Sequence, residues 1–155
     1  MESISKYINR IARCSVLYRS ARLAPSGLNG HQHSYILQIC HKPGISQDEL
    51  AELIYVNKSN VTRQLTLLEK NGFISRRACP HDRRSLQVFP TAKACAILPE
   101  IETVLTDWND MLCQGFTAAD KQQLIELLQL LMQRAKTQAD AAVSAAAADR
   151  AEHKA

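Results

Sequence analysis

Residues 73–91 read FISRRACPHDRRSLQVFPT and contain two short runs of β-type residues on either side of a charged loop. Residues 73–77 and 85–89 form the two runs, and Pro90 is expected at a strand end, where no ladder donor is needed. Four arginines lie on the runs and the loop: Arg76, Arg77, Arg83 and Arg84. The spacing predicts a β-hairpin with a strongly cationic tip.

A helical segment, NKSNVTRQLTLLEKNG over residues 57–72, precedes this hairpin directly. Asn57 is a good N-cap, and Asn71-Gly72 is a typical helix end. Its apolar residues repeat at helical spacing and predict one buried stripe, formed by Val61, Leu65 and Leu68. The other face begins with polar and basic side chains that can bind base edges or phosphates: Lys58, Ser59, Asn60, Thr62 and Arg63.

Charge is concentrated in the same part of the chain. The whole sequence has a net charge of +4, whereas residues 58–87 contain seven Lys or Arg and two Asp or Glu. A cationic patch this local predicts a polyanion-binding surface. A polar helix followed by an arginine-rich hairpin is the arrangement of a winged helix-turn-helix, in which the helix enters the major groove of duplex DNA. The hairpin of such a fold reaches the neighbouring phosphates and minor groove, so DNA contacts are expected for Arg76, Arg77, Arg83 and Arg84.

The other segments are predicted to be mostly helical. Apolar periodicity predicts a helix near the N-terminus and another over 31–42, and Ser46 with Glu49 forms a capping box for a third. We expect a mainly α fold with a two-stranded wing, organised in consecutive segments. These are dimerisation helices at 1–22 and 117–148, a winged helix-turn-helix at 30–90 (recognition helix 57–71, wing 73–90), a connecting helix at 91–115 and a disordered tail at 149–155.

Length and composition narrow the class of protein. A chain of 155 residues is typical of one domain, and no apolar run approaches the ~20 residues that cross a bilayer. The N-terminus mixes charged with apolar residues, unlike a signal peptide, so we expect a cytoplasmic protein with five free cysteines. Neither a glycine-rich phosphate loop nor a G-x-S-x-G motif occurs, so we expect no enzyme activity and no cofactor.

The sequence resembles the MarR family of bacterial regulators over nearly its whole length. The resemblance is strongest over 44–97, which includes SQDELAELIYVNKSNVTRQLTLLEKNGFISRRACPHDRRSLQVFPTAKA. The wing of that family carries Asp-x-Arg, matched here by Asp82-Arg83-Arg84, and Thr91 follows at the expected position. Ala78, Cys79 and Pro90 differ from the commoner residues, which affects only the detail of the wing.

This resemblance implies a homodimer whose terminal helices pair and whose two winged helices bind a pseudo-palindromic promoter site, most often as a repressor. It also implies that Arg84 enters the minor groove and that Asp82 holds it in place. The rival interpretation is a winged helix used only for protein–protein contacts. That interpretation predicts a recognition face poor in Lys and Arg.

The signal that such a regulator would detect is less evident from the sequence. A small aromatic or apolar inducer is the leading hypothesis, with a site lined by Tyr18, His31 and Tyr35. The region of Cys14 is similar to the cysteine region of regulators that sense organic hydroperoxides, but the partner tyrosines in the loop are missing. A buried, hydrophobe-like Cys14 is therefore the favoured interpretation, and a thiol-based peroxide sensor that uses Cys14 is the alternative. The histidines and cysteines lack zinc-site spacing, so no metal site is predicted.

Overall fold

The computed structural model of the protein describes residues 3–79 and 86–152, with side chains through residue 146. Within these ranges, six α-helices and three short β-strands follow one another along the chain. They are α1 (Ile4–Leu23), α2 (His33–His41), β1 (Ile45–Ser46), α3 (Gln47–Ile54), α4 (Lys58–Lys70), β2 (Ile74–Ala78), β3 (Leu86–Pro90), α5 (Ala92–Leu112) and α6 (Ala118–Glu152). The predicted mainly α, winged-helix architecture is confirmed.

The sheet contains one more strand than predicted. β3 lies between β1 and β2 and pairs antiparallel with both, so that Val88 faces Ile45 on one side and Arg76 on the other. The expected two-stranded hairpin is therefore the larger part of a three-stranded sheet. A strand of two residues is too short to show alternation, which is why the pattern at 45–46 did not predict it.

The capping signals act as predicted. Ser46 Oγ accepts a hydrogen bond from the Glu49 amide, and the Glu49 carboxylate accepts one from the Ser46 amide, so the capping box of α3 is complete. Asn57 Oδ1 accepts from the Asn60 amide at 2.8 Å and starts α4. Between these helices Tyr55 adopts a left-handed backbone with φ of 57°, which produces the tight turn of the helix-turn-helix.

A single apolar core joins α2, α3, α4, the sheet and α5. Val61, Leu65 and Leu68 of α4 are at most 1% exposed, as the periodicity predicted. They pack with buried residues of the neighbouring elements, among them Phe73 and Ile101. Because the core holds the apolar side of α4, the polar side of this helix faces solvent.

The chain divides into two compact units, Met1–Met111 and Leu112–Ala155. The second unit contains all of α6, which continues to Glu152 and so ends later than the predicted boundary at 148. The disordered tail expected from residue 149 is therefore helical over 149–152, in keeping with the high helix propensity of its alanines. Residues 153–155 lie outside the described chain. None of the described helices has the length and hydropathy needed to cross a membrane.

Candidate nucleic-acid interface

The polar face of α4 is exposed at the N-terminal end of the helix. Ser59, Thr62 and Arg63 are exposed, and Asn60 is half-buried. The Thr62 hydroxyl donates to the Lys58 carbonyl at 3.0 Å, which leaves its oxygen lone pairs available to a ligand. The predicted recognition residues of this helix therefore share one accessible face, which can offer several hydrogen bonds to base edges.

Two of these side chains have neighbours that limit their freedom. Lys58 Nζ lies 2.9 Å from Asp48 Oδ1, an exposed ion pair that connects the start of α4 to the start of α3. Arg63 contacts Asn60 Oδ1 at 3.5 Å, a weak hydrogen bond that leaves most of the guanidinium open. Exposed pairs contribute little stability, so both cations can exchange these contacts for phosphate at small cost.

Arg76 of β2 is placed differently from the prediction that made it a DNA contact. Its guanidinium is largely buried and donates to Glu69 Oε2 from Nε at 3.0 Å and from Nη2 at 2.6 Å. The Arg76 amide also donates to Glu69 Oε1, and this hydrogen bonding lowers the pKa of the Glu69 carboxyl. Arg76 therefore fastens the wing to the recognition helix, and its charge is already neutralised.

Arg77, the next residue along β2, is exposed. Its guanidinium carbon lies 4.8 Å from the centroid of the Phe89 ring on β3, a cation–π contact at an exposed position. Of the two arginines on this strand, only Arg77 is held in a position from which it can meet a phosphate. Asp82, Arg83 and Arg84, predicted for the wing tip, lie outside the described residues.

Thr91 closes the base of the wing. Its hydroxyl lies 2.7 Å from the Gly72 carbonyl and 3.0 Å from the Phe73 carbonyl, and its amide donates to the latter. The residue predicted only as a positional marker therefore joins the end of β3 to the end of the recognition helix. Together with the pair between Arg76 and Glu69, this contact holds helix and wing as one body.

A polar path runs from α1 to the recognition helix through the loop before α2. The Gly30 amide donates to Ser20 Oγ at 2.9 Å, and the Gly30 carbonyl accepts from Arg19 Nε at 3.1 Å. In the same loop Gln32, which is 3% exposed, accepts from the Asn29 amide and contacts Gln64 Oε1 of α4 at 3.4 Å. Sequence spacing did not reveal this path, because its members are distant along the chain.

The predicted sensing residues fall into different environments. Tyr18 of α1 lies against Trp108 of α5, with ring centroids 5.1 Å apart, whereas His31 is exposed in the turn before α2. Tyr35 is 2% exposed, and its hydroxyl has no hydrogen-bond partner among the described residues. Burial raises the pKa of Tyr35, while the nearby charge of Arg63 acts in the opposite direction.

Cys14 contradicts the expectation of a buried thiol, because its side chain is exposed on α1. The apolar stripe of this helix, which was expected to pack against a second copy of the chain, is largely exposed in the single chain, and only Ser15 and Leu23 of α1 are buried. All five cysteines are free, as predicted. Among the described residues, no group of three or more potential metal ligands occurs.

A shallow pocket of about 270 Å³ opens between the loop after α1 and the first turns of α5. Its lining does not include the predicted ligand residues and consists of Ser26, Phe73, Lys93, Ala96, Ile97 and Glu100. Lys93 lies over the Phe73 ring, 4.2 Å from its centroid, and its ammonium donates to the Asn71 carbonyl. The polar groups at this pocket are therefore already engaged.

Comparison with known proteins gives one consistent result. Residues 28–86 match the MarR family. An HTH-type transcriptional regulator of Bacillus subtilis, YybA, is 28% identical over 83% of this chain and 85% of its own length. A crystal structure of MarR is 30% identical, with a TM-score of 0.76, and the match covers 86% of this chain and 91% of that one.

A further solved structure is a MarR family transcriptional regulator from Listeria monocytogenes in complex with a 26mer DNA. It is 26% identical to this chain, with a TM-score of 0.81, and the match covers 86% of this chain and 89% of that one. With its winged-helix DNA-binding fold and its similarity to these proteins over most of its length, this chain belongs to the MarR family of transcription regulators.

Proposed function

We propose that the protein binds DNA sequence-specifically as a homodimer, represses transcription from a pseudo-palindromic promoter site and is released by a small aromatic or apolar inducer. One observation carries the proposal. The exposed polar face of α4 and the exposed Arg77 belong to a single body, because the pair between Arg76 and Glu69 joins the wing to the recognition helix. A rigid helix and wing of this kind can fit the major groove and its adjoining phosphates together.

Exposed apolar side chains on both terminal helices support the homodimer. On α1, Ile4, Ile8 and Ile11 are 44–63% exposed. On α6, Leu124, Ile125, Leu127 and Leu128 are 38–53% exposed. Exposed apolar side chains in such numbers on both helices are uncommon on a monomer, and in the proposed dimer a second copy of the chain covers them with two-fold symmetry.

The complex with a 26mer DNA formed by the Listeria monocytogenes relative supports duplex DNA as the partner. In the proposed complex, each copy of α4 lies in one major groove, with Asn60 and Arg63 directed to base edges. Arg77 binds phosphate, Arg83 extends the cationic wing, and Arg84 enters the minor groove with Asp82 as its support. A narrow minor groove has enhanced negative potential, which favours an arginine at that place.

The inducer proposal depends on Tyr35. Its buried hydroxyl has no partner among the described residues, and the charge of Arg63 on the recognition helix acts on it. A buried polar group of this kind gains a hydrogen bond when a ligand with a polar end reaches it. Tyr18 and His31 contribute an aromatic face and a polar edge. The exposure of Cys14 favours a second candidate input, oxidation of this thiol by a peroxide.

Fluorescence anisotropy with duplexes from the upstream promoter region, at two salt concentrations, tests DNA binding. We expect Arg84→Ala to weaken binding to all duplexes and to reduce the salt slope by about 0.9. By contrast, Arg63→Ala should change the preference among sites by ~1–3 kcal/mol if the contact is bidentate. Unchanged affinity and salt slope for Arg84→Ala contradict the wing assignment.

The same anisotropy measurement distinguishes the candidate inducers. Aromatic acids or hydrogen peroxide are added to the preformed complex, and Tyr35→Phe and Cys14→Ser are compared with the wild-type protein. If an aromatic acid releases the DNA and Tyr35→Phe weakens this release, the result supports a small-molecule inducer that binds at Tyr35. If release occurs with peroxide alone and is lost in Cys14→Ser, the thiol is the sensor.

A further inference from the structure

Gln32, in the turn that precedes α2, has a buried polar side chain that contacts the recognition helix. The residue is 3% exposed. Its Oε1 accepts a hydrogen bond from the Asn29 amide at 3.1 Å, and its Nε2 donates to Gln64 Oε1 of α4 at 3.4 Å. The oxygen of this side chain is therefore used within the turn, and the nitrogen is used on the recognition helix.

We propose that Gln32 is a positioning residue for the reading of DNA by α4, and that it acts through Gln64. This inference rests on the proposed function, because it concerns how the recognition helix meets base edges. Gln32 is too buried to touch DNA, so its influence passes through the helix that it contacts. Gln64 follows Arg63 directly and lies one turn after Asn60, so a rotation of α4 that moves Gln64 also moves both of these side chains.

The contact between Gln32 and Gln64 gives α4 a directional restraint that its apolar stripe does not supply. Apolar contacts are non-directional, whereas a hydrogen bond weakens steeply as its geometry is bent. At 3.4 Å this hydrogen bond is long, so a small rotation of the helix is enough to break it. The pair between Arg76 and Glu69 restrains the last turn of the same helix from the side of the wing.

The turn that carries Gln32 is itself held to α1. The Gly30 amide donates to Ser20 Oγ at 2.9 Å, and the Gly30 carbonyl accepts from Arg19 Nε at 3.1 Å. His33 Nδ1 lies 3.0 Å from the same carbonyl oxygen. Because α1 is one of the helices of the proposed dimer, the side chain of Gln32 connects the placement of that helix to the rotation of the recognition helix.

The test compares the wild type with Gln32→Met, an apolar replacement of similar length that removes both side-chain hydrogen bonds. Fluorescence anisotropy measures binding to the promoter duplex that the wild type binds most tightly and to a panel of its single base-pair substitutions. We expect discrimination among these duplexes to fall at least about fivefold, the lower end of what one good base contact contributes. The salt slope should stay unchanged, because the phosphate contacts remain. Gln38→Met, at a partly exposed glutamine of α2, is the matched control and should discriminate like the wild type.

The variant Gln64→Met shows whether the effect of Gln32 passes through α4. We expect it to reduce discrimination to a similar extent, and we expect the double variant with Gln32→Met to lose no more than either single variant. The loss should be spread over several base pairs, because a rotated helix displaces all of its reading side chains. A direct base contact by Gln64 would instead relax the preference at one base pair only.

Unchanged discrimination in a folded Gln32→Met overturns the positioning role, and additive losses in the double variant do so as well. If Gln32→Met does not fold, Gln64→Met decides the question, because this residue is only partly buried. A loss spread over several base pairs then supports the role, and a loss at one base pair overturns it. A wild type that binds all duplexes equally, or none, contradicts the proposed function itself and the role of Gln32 with it. A wild type that discriminates no better than Gln32→Met, but does discriminate, overturns the role of Gln32 alone.

Discussion

Arg76 and Arg77 are adjacent residues of one type with different surroundings. The first donates three hydrogen bonds to Glu69, counting its amide, and the second is exposed over Phe89. The sequence alone predicted DNA contact for both. Strand register decides between them, because alternate residues of a strand point to opposite faces and Arg76 is on the face that meets α4.

Replacing Arg76 by Ala should lower the free energy of unfolding by about 1–3 kcal/mol, because a charge-assisted contact to Glu69 is lost. Replacing Arg77 by Ala should leave stability nearly unchanged and reduce the salt slope of DNA binding by about 0.9. Thermal unfolding and anisotropy at two salt concentrations measure the two effects. The assignment of a structural role to Arg76 and a DNA contact to Arg77 is contradicted if Arg77→Ala destabilises the protein. It is also contradicted if Arg76→Ala keeps its stability but reduces the salt slope.

His33 gives the fold a dependence on pH. Burial lowers the pKa of its ring to about 4 from an unfolded value of 6.5, and the charge of Arg19 adds to the effect. Between these values the unfolded chain binds more protons than the folded one. The stabilising contribution is therefore complete above the unfolded pKa and is lost as the pH falls toward the folded pKa.

Because His33 is partly exposed, we expect this contribution to be roughly 1–3 kcal/mol. The variant His33→Gln should flatten the fall in melting temperature between pH 7 and pH 4. His31→Gln, at an exposed position two residues earlier, is the matched control, and it should change the curve far less because His31 makes the smallest contribution to the lowered pKa of His33. If the melting temperatures of the wild type and His33→Gln fall in parallel between pH 7 and pH 4, the pH dependence does not come from the His33 ring.

Among the elements, the loop between α1 and α2 is the connection that most directly joins the N-terminal helix to the interface. Gly30 sits against α1, where an added Cβ would overlap the Val16 carbonyl oxygen and lie 2.6 Å from Ser20 Oγ. Backbone and side chain would both have to move. The absence of a side chain at Gly30 therefore allows the hydrogen bonds that this loop makes with Arg19 and Ser20.

We expect Gly30→Ala to destabilise the protein by about 1–3 kcal/mol through overpacking. The control is Gly27→Ala in the same loop, where an added Cβ meets nothing within 4 Å and only the left-handed backbone, with φ of 80°, is strained. That strain costs of order 1 kcal/mol. Chemical denaturation compares the two variants, and equal destabilisation would show that the close approach to α1 has no energetic role.

Local signals in the sequence predict individual helices but not the contacts between elements. Capping residues and apolar spacing gave α3 and α4 almost to the residue, because these signals act within one or two turns. The Thr91 contact to Gly72 and the Gln32 contact to Gln64 connect residues that are 19 and 32 positions apart in the chain, and Glu69 and Arg76 meet across two different elements. Such contacts depend on the packed arrangement of elements, which local patterns do not encode.

For the whole molecule, the proposed dimer explains why the terminal helices carry so much exposed apolar surface. We expect Leu128→Glu on α6 to weaken self-association, because a charge would be buried in the shared interface. DNA affinity should fall with it, since each copy alone contacts only half of a site. Gln123→Glu, an exposed polar position of the same helix, is the control and should sediment like the wild type.

Sedimentation of the protein, alone and with a labelled promoter duplex in dilute buffer, tests the proposed mode of action most directly. We expect the free protein to have twice the mass of one chain and the complex to contain two chains on each duplex. A protein that sediments as a monomer at micromolar concentration, or that leaves every promoter duplex free, would contradict the homodimeric DNA-binding function.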